Sequence, residues 1–125
     1  MTTKAGAIYE FLSGFGVPAY AATAVPADAE MPYLTYELST GAFGDGEQSV
    51  VVNLWYLTES EALPNAKAQE ISERVGRKGV FLLCEGGSVW IKRGVPFSQS
   101  VDGEGDDNAI KRRYINLSVE YLTED

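Results

Sequence analysis

The stretch "YINLSVEYL" (residues 114–122) alternates without a break. Ile115, Leu117, Val119 and Tyr121 are apolar, while Asn116, Ser118 and Glu120 are polar. Successive side chains of a strand point to opposite faces, so this segment is a β-strand with one dry face and one wet face. A helix would scatter the same four apolar side chains around its circumference. The constraint extends beyond the strand itself. Such a strand belongs in a sheet that is covered on one side and open on the other. With 125 residues there is room for one core, and the expected organisation is a single domain over residues 1–125.

The remaining pattern supplies partners for that strand. "MPYLTYEL" (31–38) alternates Leu34, Tyr36 and Leu38 with Tyr33, Thr35 and Glu37, and "SVVVNLWYL" (49–57) is dense in β-branched and aromatic residues. The glycine-rich link between them makes a hairpin with a flexible tip carrying Phe43 and Asp45. Phe43 either folds back on the core or docks on a neighbour. "VFLLC" (80–84), the turn "EGGS" and "VWIKRG" (89–94) read as a second hairpin, and the unbroken apolar run of its first strand suggests a central position. "VPFSQSV" (95–101) is an irregular or edge segment, "DGEGDDN" (102–108) a polar tip, and residues 109–124 one long final strand.

Two helices complete the pattern. In residues 4–15, Ile8, Phe11, Leu12 and Phe15 recur at helical spacing, and Gly14, Gly16 and Pro18 end the run. After residue 57, Thr58 and Glu61 have capping-box spacing, and Ser60 is an equally good cap. Pro64 then belongs in or near the first turn, with Ala62, Ala66, Ile71 and Val75 on roughly one face and Gly76 or Gly79 at the end. Residues 17–32 hold three prolines and read as a long extended surface loop, of a kind often functional or stabilised by a partner. The expected order is α-β-β-α-β-β-β. That describes an α+β domain, with a mostly antiparallel sheet of about five strands and two helices on one face.

Composition excludes much chemistry. The chain has no histidine and one cysteine, so no Ser-His-Asp or Cys-His device, imidazole zinc site or internal disulfide is available. Cys84 ends an apolar run and reads as a small buried residue. Lysine- or carboxylate-based catalysis survives in principle, but nothing in the spacing asks for it, and no cofactor is expected. The acidic tip Asp102, Glu104, Asp106 and Asp107 fails the calcium-loop pattern, since the sixth position is Asp107 and the twelfth Arg113. Lys111, Arg112 and Arg113 follow it directly, but alternation points Arg112 away from the other two. Their expected role, with Lys92, is to pair with the acidic tip of the same or a neighbouring subunit. A net charge of −8 at pH 7 should repel DNA. No apolar run approaches the ~20 residues that span a bilayer. Glu10 sits within "MTTKAGAIYEFLSGFG", unlike a secretory signal. No membrane association is expected, and the compartment is the cytoplasm of the producing cell.

The order and spacing of "PYLTYEL" after a proline-rich loop, "VVVNLWYLTES", "NAKAQEISERVG" and the closing "VWIKRGVPFSQSVDGEGDDNAIKRRYINLSVEYLT" resemble the tail terminator, or tail-completion (head-tail joining), proteins of long-tailed bacteriophages and prophages. The resemblance runs from about Ile8 to Thr123. It implies a structural virion protein that forms a ring, usually a hexamer, on the head-proximal end of the tail. The ring caps the tail tube, stops its polymerisation and offers the head-tail connector protein a surface. The implied partners are copies of itself, the tail tube protein and the connector protein, with DNA passing through unbound. The implied location is the virion tail, after assembly in the host cytoplasm. Phe43, Asp45, Lys92, Asp102, Glu104, Asp106, Asp107, Lys111, Arg112 and Arg113 are the candidate interface or lumen residues. Other phage neck, connector or minor capsid proteins share this size, and a monomeric bacterial binding domain is the alternative from another class.

Overall fold

The computed structural model describes residues 2–103 and 108–125. Helix α1 (Lys4–Leu12) starts where the Thr3 hydroxyl accepts the Gly6 N–H at 3.0 Å. A short 3-10 turn, Ser13–Phe15, follows, and Gly16 stops it at φ 81°, a conformation that favours glycine. Ile8, Leu12 and Phe15 are buried as the spacing predicts. Phe11 is partly buried, edge-to-face with Phe15 at 5.3 Å.

The strands are β1 (Ala19–Ala21), β2 (Tyr33–Glu37), β3 (Glu47–Leu57), β4 (Val80–Cys84), β5 (Gly87–Val101) and β6 (Ile110–Thr123), with α2 (Ala62–Val75) between β3 and β4. They form one six-stranded sheet in the order β1-β2-β3-β6-β5-β4. The β1–β2 pair is parallel and every other pair antiparallel. The fold is therefore α+β, but the sheet is mixed and has six strands, not five antiparallel ones. The additional strand lies inside the predicted 17–32 loop. Its three residues, Ala-Tyr-Ala, carry too short an alternation to read, and backbone bonds to β2 define it: Leu34 N–H to Pro18 C=O and Ala22 N–H to Tyr36 C=O, both 2.9 Å.

The long alternating strand behaves as its pattern requires. Ile115, Leu117, Val119 and Tyr121 of β6 are buried, with Val50, Val52 and Leu54 of β3 on one side and Val89 and Ile91 of β5 on the other. Ile8, Leu12, Ile71 and Val75 of the helices cover this face. In α2 the inward residues are Pro64, Ala68, Ile71 and Val75, whereas Ala62 and Ala66 are exposed. The face predicted from the alanines is thus rotated in its first turns, because the buried proline sets the contact there. The Thr58–Glu61 box does not form: Glu61 at the N-cap makes no side-chain cap bond, and the Ser60 hydroxyl one residue earlier accepts the Ala62 N–H at 3.0 Å.

Two further expectations change. β4 is an edge strand, not a central one. Its apolar run is continuous because Val80, Leu82 and Cys84 share the helix-covered side of the ladder while Phe81 and Leu83 point to the open side. Residues 95–101 belong to β5, which re-pairs with β6 after an irregularity between Arg93 and Ser98. β4 pairs only with Gly87–Ile91, so that stretch keeps an unpaired outer side among the described residues, as an edge segment would.

Burial pushes the Tyr121 phenol up to about 12, and desolvation raises Tyr36 and Tyr56 from the ordinary value of 10.0 in the same direction. The unfolded chain therefore loses these protons first. Between pH 10 and 12 it binds fewer protons than the native state, so stability is intact below pH 10 and falls as pH rises toward 12. Calorimetry across pH 9–12 should show Tm dropping through that window. Tyr121→Phe should flatten the drop, and an unchanged slope would contradict its buried setting.

Candidate functional site: the open face of the sheet

Both helices pack on one side, so the opposite side of all six strands is free of them. Register places on it Tyr20, Tyr33, Thr35, Val51, Asn53, Trp55, Arg112, Tyr114, Glu120, Trp90 and Phe81. Aromatic residues are favoured in strands, but here many gain no core contact. Such a surface, apolar and polar by turns, suits contact with another molecule.

Two clusters organise this face. Toward β4, Lys92 is ion-paired with Glu47 and lies 3.7 Å from Glu120, and its ammonium sits 4.0 Å from the Trp90 ring centre. Lys92 holds the Glu47 carboxyl below its ordinary value through a hydrogen bond. Phe81 stacks on Trp90 with ring centres 5.0 Å apart and planes inclined by 14°. Toward β1, the Arg112 Nε donates to Asn53 Oδ1 at 2.9 Å and its guanidinium lies 5.3 Å from the Trp55 ring centre. The Trp55 Nε1 donates to Thr35 Oγ1 at 3.0 Å, and Tyr20 meets Tyr33 edge-on at 5.7 Å. Met31, Tyr33, Thr35, Trp55 and Arg112 help line an open hollow of about 430 Å³ beneath the 22–31 loop.

The predicted site residues scatter around this face. Phe43, 76% exposed at the β2–β3 tip, does not fold back on the core, although its N–H reaches the Thr123 carbonyl at 2.9 Å. Asp45 holds the same tip by accepting the Ala42 N–H at 2.9 Å. Lys92 and Arg112 are on the open face. Arg113 lies on the helix side, bonded to Glu61 at 2.9 Å and Asn65 at 2.6 Å, and Lys111 donates to the Asn108 carbonyl. The expected separation of Arg112 from Arg113 therefore holds. Lys92, Arg112 and Arg113 each take a partner among the described residues, because folding brings Glu47, Asn53 and Glu61 beside them. Asp102 is exposed at the start of that tip, and Glu104, Asp106 and Asp107 lie outside the described residues.

Sequence reasoning missed Phe81 and Leu83, 58% and 77% exposed, and also Tyr20. An unbroken apolar run reads as core, and only strand order reveals that half of it faces outward. Cys84 is buried, and desolvation raises its thiol, which stays protonated near neutrality. Among the described residues no three Cys, Asp or Glu side chains gather as a metal site, and no helix is long and apolar enough to cross a membrane.

Compared with protein-family models, with curated proteins and with solved structures, the chain matches none. The open face therefore has to be interpreted from its own geometry.

Proposed function

We propose that this chain is a structural assembly protein of the tail-terminator kind. It forms a ring, usually of six copies, that caps a phage tail tube, ends its polymerisation and presents a surface for head-tail joining. The observation that carries the reading is the sheet's aromatic, ion-paired open face. A face of this kind is supplied by the fold but left without a cover by it. Each subunit of a ring meets two neighbours through different patches, and the tube and the connector protein need further surface. The net charge of −8 supports a lumen through which DNA passes without being held. The reading places the protein at the head-proximal end of the virion tail and requires no catalysis or cofactor.

Light scattering on the purified protein across a hundredfold concentration range is expected to give one discrete higher mass, six times the 13.6 kDa of the chain. A monomer that persists throughout and also fails to bind purified tail tubes would reject the proposal and favour a monomeric binding domain.

A further inference from the structure

The two edges of the sheet are complementary to one another. Following the pairing from strand to strand, β1 and β2 run one way, β3 the other, β6 the first way, β5 the other, and β4 the first way again. The outermost strands β1 and β4 therefore point in the same direction. A second copy continuing the sheet side by side would set its β1 parallel to the first copy's β4.

Backbone parity permits that junction. The β4–β5 hairpin has a two-residue turn, with Cys84 opposite Gly87. The pair flanking such a turn exchanges backbone bonds, so alternation turns the N–H and C=O of Phe81 and Leu83 away from β5. The next residue of that set, Glu85, follows suit, its N–H donating to the Thr2 carbonyl at 2.8 Å. On β1, the bonds made by Pro18 and Ala22 face β2, which turns the backbone of Ala19 and Ala21 outward. In a parallel ladder, an outward residue on one strand stands opposite an inward-bonded residue on the other. Phe81 or Leu83 then stands opposite Tyr20, and all three side chains lie on the open face. Had either strand been offset by one residue, the open face of one copy would have joined the helix-covered face of the next.

We infer that copies of this chain associate head to tail by parallel pairing of β4 in one subunit with β1 in the next. The contact joins the Phe81–Trp90 stack of one copy to the Tyr20–Tyr33 pair of its neighbour and covers Leu83. This inference rests on the ring reading and names the two patches that such a ring would use. The β1 ladder is three residues long. A single junction is therefore weak, and assembly depends on concentration until the ring closes.

The test uses the full chain with Cys84→Ala, carrying Tyr20→Cys and Leu83→Cys together, treated with a short bis-maleimide. The two positions in one subunit are separated by five strand spacings, roughly 24 Å, so a short linker cannot join them within a chain. The expected result is a ladder of covalent oligomers from the double variant and none from either single variant. Leu83→Lys should lose the higher-mass species in light scattering, with a Tm equal to the parent's when both are measured as dilute monomers. A discrete ring from the parent protein with no cross-linking overturns the edge pairing and leaves the ring reading standing. Covalent dimers from Leu83→Cys alone show a symmetric β4–β4 contact and also overturn it. A parent that never associates removes the inference together with the ring.

Discussion

Leu117→Ala is expected to lower the unfolding free energy by about 3–4 kcal/mol. Leu117 is fully buried in β6, between Val50 of β3 and Arg93 of β5. Hydrogen-bonded strands hold it on both sides and the helices roof it, so little can collapse into the space left by the missing methyl groups. A domain of this size has roughly 5–15 kcal/mol in total, so the loss is a large share. Urea unfolding followed by circular dichroism measures it. Leu83→Ala, compared with the parent at a dilution where both are monomeric, is the control: that side chain is 77% exposed, and its removal should change stability by less than about 0.5 kcal/mol. Equal effects at the two positions would contradict the strand order and the assignment of faces.

Gly87→Ala should cost about 2–4 kcal/mol for a different reason. Gly87 opens β5 at φ 151°, a value that side-chain-bearing residues rarely adopt. A methyl group there would press on the Leu122 carbonyl, a backbone atom of the neighbouring strand. Neither strand can yield without breaking the β5–β6 ladder. Gly44, at φ 94°, has open space around it, so Gly44→Ala carries only the backbone strain of about 1–2 kcal/mol. The same unfolding measurement separates them. A cost at Gly87 no greater than at Gly44 would mean that the strands are less closely packed than described.

The two hairpins and the first helix were legible because each depends on local chemistry. Glycine-rich turns set the hairpins, and the spacing of Ile8, Leu12 and Phe15 set the helix. The face of α2 was legible only in its second half, at Ile71 and Val75. Earlier in the helix, alanine reads equally well as buried or exposed, and Pro64 made the contact instead. β1 carried no readable pattern at all. The candidate surface was legible as a set of strand aromatics needing a cover. Its Lys92 and Arg112 partners, Glu47 and Asn53, lie far away in sequence and next to them only in register.

Taken alone, the sequence determined that a sheet exists with one dry face, that two amphipathic helices cover it, and that histidine chemistry is excluded. Those conclusions follow from period, composition and turn residues, all of which act over a few positions. The tertiary structure decided the order of the strands, the exposure of Phe81 and Leu83, and the shared direction of the two edges. Strand order is set by which dry faces fit together around one core, a competition among distant segments that no local pattern records. A continuous apolar strand is consistent with the centre of a sheet or with its edge, and the difference is made by the neighbours it is given.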